Sequence, residues 1–209
     1  MRALNVNEKT YYAGRIMTQI FRTLAISLTV AILLTIGIGF WSFFTPGESK
    51  HKDVFILHFV FGLATAIGGL LVHCLIFIYF LGTGRWVKEV TIAYKMPDEP
   101  WHKQTRELKR QTFPPALFSM LIAIAAAAAG AGAQLQAWPW YVHMTLGLLT
   151  LAINLWAFRI ELRNVTINAT IIDAVMQEVD RIRTARGMVS NEIALQEEDS
   201  PVANAIKPR

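Results

Sequence analysis

The chain has 209 residues, 54% of them hydrophobic and 17% charged, with a mean hydropathy of +0.38 and a formal net charge of +5. The charged residues avoid long stretches, which excludes a soluble helical protein, and no basic stripe interleaved with aromatics accompanies the positive charge, which excludes nucleic-acid binding. The lone Cys74 excludes an internal disulfide.

Residues 1–22 read as a short amphipathic helix leading into the first apolar stretch, without the small-residue pattern of a cleaved signal peptide. No Asp, Glu, Lys or Arg occurs from Thr23 to Gly47, from Val54 to Gly84, or from Gln111 to Phe158. A hydrocarbon core about 30 Å thick takes roughly 20 residues of helix, so the first two stretches are one span each. The third is long enough for two, divided at Gln134–Trp140 by a proline and interfacial tryptophans. The expectation is four transmembrane helices at about 23–44, 54–82, 115–134 and 141–161.

Between helices 2 and 3, Pro97 and Pro100 mark a loop, and Trp101 to Arg110 reads as a short interfacial helix. Pro114-Pro115 suits the first turn of helix 3, where a missing N–H is harmless. Beyond Arg163, apolar residues including Ile167, Ile171, Val175 and Ile182 recur at helical spacing, which predicts that helix 4 continues as an amphipathic cytoplasmic helix to about Arg186. Asp173, Glu178, Asp180, Arg181 and Arg183 are expected mostly on its solvent side. The polar segment from Gly187 to Arg209 is expected to be disordered alone. The division is then a transmembrane domain over 1–163 and a cytoplasmic helix and tail over 164–209.

All but Lys50 and Lys52 of the 20 basic residues fall on one side of these spans. The positive-inside rule makes that side cytoplasmic, with both termini inside, in a bacterial inner membrane. The sequence pI near 9.5 then reflects topology and contact with anionic lipid. The sequons at Asn164 and Asn168 would be cytoplasmic and unused. Aromatic residues 40–44 and 138–141 form an outer belt.

The most specific pattern is a repeated word. His58-Phe-Val-Phe-Gly62-Leu-Ala-Thr65 and His143-Met-Thr-Leu-Gly147-Leu-Leu-Thr150 both read H-x-x-x-G-L-x-T. At about 100° per residue, His, Gly and Thr share one stripe of each helix. The first stripe continues through Gly69 and His73, the second through Asn154 and Ala157. Gly37-x-Gly39 and Gly130-x-Gly132 extend the repeat to the preceding helices. The chain thus reads as two parallel helical hairpins forming an all-α, up-down-up-down bundle, with helices 2 and 4 diagonal across the core and their histidines at equal depth near the outer face.

Opposed imidazoles suit bis-histidine ligation of one haem b by His58 and His143. Gly62, Gly69 and Gly147 would make room for the macrocycle, and Thr65 and Thr150 would bond their own helices or the imidazoles. The arrangement resembles the general plan of four-helix b-type cytochromes, in which paired helices carry transmembrane histidines; the resemblance covers helices 2 and 4. His73 lies about 22 Å below His58 at 1.5 Å per residue. Phe158 occupies the matching place on helix 4, which argues against a second bis-histidine site. His73 is expected to bond a backbone carbonyl or Asn154, with a chlorophyll-type pigment at His73 as the alternative. A bare copper or zinc site fits less well, since no carboxylate or thiolate joins His58 and His143.

Ion pumps carry ionisable acids inside their spans, and these spans hold none before Glu161, at the inner boundary. No catalytic motif is present, so the chain is not expected to be an enzyme. Two functions are consistent with these features. One is an electron-carrying subunit of a respiratory or photosynthetic membrane complex with haem b. The other is a cofactor-free scaffold subunit. Both imply other membrane subunits and lipid as partners.

Overall fold

The structure is a computed structural model, described here for residues 6–44 and 48–189, with side chains for 16–44 and 53–189. The tail beyond residue 189 and the first five residues lie outside it. Four helices account for nearly all of the described chain: α1 (Val6–Phe44), α2 (Glu48–Ala93), α3 (Trp101–Gln134) and α4 (Trp140–Ala185). All four are long and apolar enough to cross a membrane.

The helices run well past the apolar stretches that define them in the sequence. α2 and α4 have 46 residues each, about 69 Å at 1.5 Å per residue, against about 30 Å of hydrocarbon. Charge marks where lipid ends, not where a helix must end. Arg85, Lys88 and Glu89 are good helix formers, and α2 carries through them to Ala93. The link to α3 is therefore only residues 94–100, and the expected separate interfacial helix is the first part of α3 itself. Pro114 and Pro115 consequently sit inside α3 rather than in its first turn. They deprive the Arg110 and Gln111 carbonyls of their usual donors, at the boundary where polar residues give way to apolar ones.

α1 packs on α2 and α4, α3 packs on the same two helices, and α2 and α4 meet only at a few points. Contacts fix the register of each neighbouring pair. Thr35 meets Thr65 between α1 and α2, Phe77 meets Phe113 between α2 and α3, and Asn164 meets Thr112 between α3 and α4. Between α1 and α4, Phe21 packs edge-on against Phe158 at one level and Phe43 lies 5.0 Å from Trp140 at another. The α3–α4 corner closes on the Gly132 carbonyl, which accepts from the Ala137 and Trp138 N–H groups, with Gln136 in the left-handed region at φ 58°. The Trp138 ring folds back over Gly132, where a Cβ would stand only 3.1 Å from it.

The hydrophobic core extends from Phe21, Leu28, Ile76 and Phe80 to Val87, Leu108, Val165, Ile171, Val175 and Val179. Thus the far half of α4 is docked on this chain's own α2 and α3. Ile171 and Val175 are buried, while Ile167 and Ile182 are partly so. Of the charged residues on this half, Arg181 is exposed and Asp173, Glu178, Asp180 and Arg183 are half-buried. The segment beyond the apolar spans is a second packed region, a stem continuous with the bundle.

Candidate functional site

His58 on α2 and His143 on α4 come together across the core, with ring centroids 5.9 Å apart and planes at 75°. Each ring is held in the same way by the helix that precedes its own. His58 Nδ1 lies 3.1 Å from the Thr35 carbonyl oxygen of α1, and His143 Nδ1 lies 2.9 Å from the Ala126 carbonyl oxygen of α3. A carbonyl only accepts, so each Nδ1 carries a proton and donates it. In a neutral ring that leaves Nε2 with a free lone pair, the tautomer a metal ligand needs.

Glycine makes this geometry possible. In a helix the carbonyl of residue i is covered by the side chain at i+4, whose Cβ leans toward the N-terminus. Four residues after Thr35 stands Gly39, and four after Ala126 stands Gly130. A Cβ at Gly39 would lie 2.8 Å from His58 Cε1, and one at Gly130 would lie 2.9 Å from His143 Cε1. Both approaches are closer than side chains tolerate. Each imidazole is seated on a glycine of the neighbouring helix, and the two hairpins repeat the device.

The glycines and threonines named from the repeated word have other surroundings. A Cβ at Gly62 would meet Thr35 Cγ2 at 3.6 Å, and one at Gly69 would meet Leu28 Cδ2 at 3.7 Å, so both serve α1–α2 packing. Gly147 has nothing within 4 Å of such an atom and borders open space beside His143. Thr65 Oγ1 is 2.9 Å from Thr35 Oγ1. Thr150 donates back to Leu146 O at 2.8 Å. Neither threonine is recorded bonding an imidazole. Gly39 and Gly130 are the residues that sequence reasoning missed; their signal was the matched glycine pairs ending helices 1 and 3.

His73 is fully buried and separate from this pair. Its Nδ1 lies 2.8 Å from Glu161 Oε1, and its Nε2 lies 3.1 Å from Asn154 Oδ1. Asn154 Nδ2 donates to Thr150 O at 2.8 Å, which keeps the amide oxygen turned toward the imidazole. Phe158 stacks on the ring at 5.5 Å. The bond to Asn154 is the one the sequence suggests. Glu161 is an addition, drawn into the core two turns beyond Asn154 on the same face. Both ring nitrogens of His73 are thus engaged by protein oxygens.

Among the described residues, no group of three or more His, Cys, Asp or Glu side chains could hold a bare metal ion. In their neutral form His58 and His143 would each present an Nε2 lone pair, a donor set suited to a metal whose remaining ligands come with it. No known protein-family model, curated protein or solved structure matches the chain.

Proposed function

We propose that the chain is an integral membrane subunit of an electron-transfer complex, carrying one haem b between His58 and His143. In this reading the helices form an up-down-up-down bundle of two parallel hairpin repeats in a bacterial inner membrane. Both termini and the stem are cytoplasmic, and the haem lies near the outer face. The supporting observation is the 5.9 Å separation of the two ring centroids. With metal–nitrogen bonds of about 2 Å and a ring radius of about 1.1 Å, two coaxial imidazole ligands put their centroids about 6 Å apart. The Nδ1 bonds to Thr35 and Ala126 carbonyls are the outer partners that orient such ligands, and Gly147 leaves space beside His143 for a flat ring. Haem would supply one-electron chemistry; the protein supplies orientation and a low-dielectric setting.

A second reading, a cofactor-free scaffold, draws on the same rings: at 75° they sit edge to face, with their Nδ1 protons already satisfied. A reduced-minus-oxidised spectrum of protein purified from haem-replete cells decides between them. The haem reading expects b-type bands that are lost in both His58→Ala and His143→Ala and kept in His73→Gln. Wild-type protein without those bands leaves the scaffold.

A further inference from the structure

α4 turns a file of polar side chains into the core: Asn154, Glu161, Asn164 and Asn168, each at most 2% exposed. Their spacing of seven, three and four residues keeps them on one helix face. Burying so many polar groups where apolar ones would pack is costly unless they are bonded to one another or used.

The partners are on the page. Glu161 holds His73, Asn164 Nδ2 donates to Thr112 Oγ1 at 2.9 Å, and Asn168 Nδ2 lies 3.1 Å from Tyr79 Oη and 3.0 Å from Thr83 Oγ1. Two acceptor oxygens of the file, Glu161 Oε2 and Asn168 Oδ1, have no hydrogen-bond partner among the described residues. At its stem end the file reaches half-buried Asp173, which is within electrostatic reach of Tyr79.

The His73 ring carries the argument further. With Glu161 ionised, both of its nitrogens face oxygens that only accept, a carboxylate on one side and an amide oxygen held in place on the other. A neutral imidazole has one N–H and leaves one contact as a lone pair against a lone pair. An imidazolium satisfies both contacts and places a counter-charge beside the buried Glu161 carboxylate.

We propose that His73 and Glu161 form a proton-holding pair that exchanges protons with water at the stem end, along Asn164–Thr112 and Asn168–Tyr79–Thr83. The ligand is a proton delivered by water, for which Glu161 Oε2 is the open acceptor. Transfer within the pair is balanced. The Nδ1–H bond breaks as an Oε1–H bond forms, leaving neutral imidazole and carboxylic acid. Phe158 of α4 stacks on the His73 ring, and Phe21 of α1 packs edge-on against Phe158. The neighbouring charges Arg22, Arg159 and Arg163 are exposed. No step depends on the haem reading.

The test is nitrogen-15 NMR of histidine-labelled full chain in lipid nanodiscs, which reads the protonation of each ring nitrogen. His73 is expected to carry protons on both nitrogens at neutral pH, and Glu161→Gln to reduce this to one. A ring with one proton in wild-type protein overturns the pair. The route is read from exchange of the His73 ring protons with water. Asn168→Leu is expected to slow it about tenfold, the rate equivalent of one ordinary hydrogen bond. An unchanged rate overturns the stem-end route. Thr83→Val and Thr112→Val, near-isosteric and without the hydroxyl that accepts from Asn168 or Asn164, carry the same expectation if Asn168→Leu does not fold. Because the readout is a nitrogen signal rather than a haem band, failure here and failure of the haem proposal are distinguishable.

Discussion

A single methyl group is enough to test the histidine seats. Gly39→Ala and Gly130→Ala place a Cβ 2.8 and 2.9 Å from an imidazole carbon. Each is expected to displace its ring from the Thr35 or Ala126 carbonyl, to lower occupancy of the proposed haem, and to destabilise by about 1–3 kcal/mol, as overpacking of a tight site does. Gly37→Ala, with nothing within 4 Å, is the control and should leave a thermal melt and spectrum unchanged. Asp173 gives a pH test. Burial raises its carboxyl above the ordinary value, and its Oδ1 has no hydrogen-bond partner among the described residues. The folded state therefore binds the proton more tightly than the unfolded one, so stability is highest below the ordinary carboxylate range and falls as pH rises through the folded value. Asp173→Asn is expected to raise the melting temperature at neutral pH, with the gain vanishing in acid. The two histidines stood out in the sequence because a whole word repeats around them. The glycines beneath them show only as matched pairs at the ends of helices 1 and 3, with nothing in either stripe to tie them to an imidazole; Gly62 and Gly69 share the histidine's stripe yet face Thr35 and Leu28.

The four elements themselves follow from the apolar stretches, but their ends do not. Arg85 to Ala93 and Trp101 to Thr112 belong to α2 and α3 because an amphipathic helix leaving the bilayer still has a partner to bury its apolar stripe against. Val87 and Val175, both 0% exposed, are where that stripe meets its counterpart. Val175→Ala removes two buried carbons and leaves a cavity, and is expected to cost about 2 kcal/mol, read from denaturation of the full chain. For the same reason, truncation after Arg163 strips Val165, Ala169, Ile171, Val175 and Val179 from the core. It is expected to lower the stability of the bundle as well as any assembly. The α1–α2 contact is weaker in kind. Thr35→Val removes the hydrogen bond to Thr65 and should cost only about 0.6 kcal/mol, the usual size of such a bond between membrane helices.

For the molecule as a whole, the placement of basic residues predicts its sidedness. A fluorescent protein fused after residue 189, or inserted in the 94–100 link, is expected to fluoresce in the cytoplasm. A periplasm-dependent phosphatase inserted at residues 135–139 should be active, and the reverse pattern would invert the proposed topology. The exposed aromatics Trp41, Phe44, Trp138, Trp140 and Tyr141 gather at that second end, as an interfacial belt would. Glu161 shows where sequence reading reached its limit. By position it sits at the edge of the last apolar stretch, and only the packing of α4 on α2 reveals that it points inward to His73.

The long stem changes how the bundle is held. Between helices in lipid the hydrophobic effect is largely absent, because tails are as apolar as leucine. In water it operates in full. With the stem in the cytoplasm, as proposed, the two ends of this one bundle would answer to different solvents. Urea, which loosens apolar contacts in water, should act first on the stem, where Val87, Leu108, Val175 and Val179 are buried. The membrane half would then loosen as its anchor goes. Far from His58 and His143, the bonds from Asn168 to Tyr79 and from Arg183 to Tyr94 tie α4 to α2 in the stem, a splint against sliding of the two helices that carry the imidazoles.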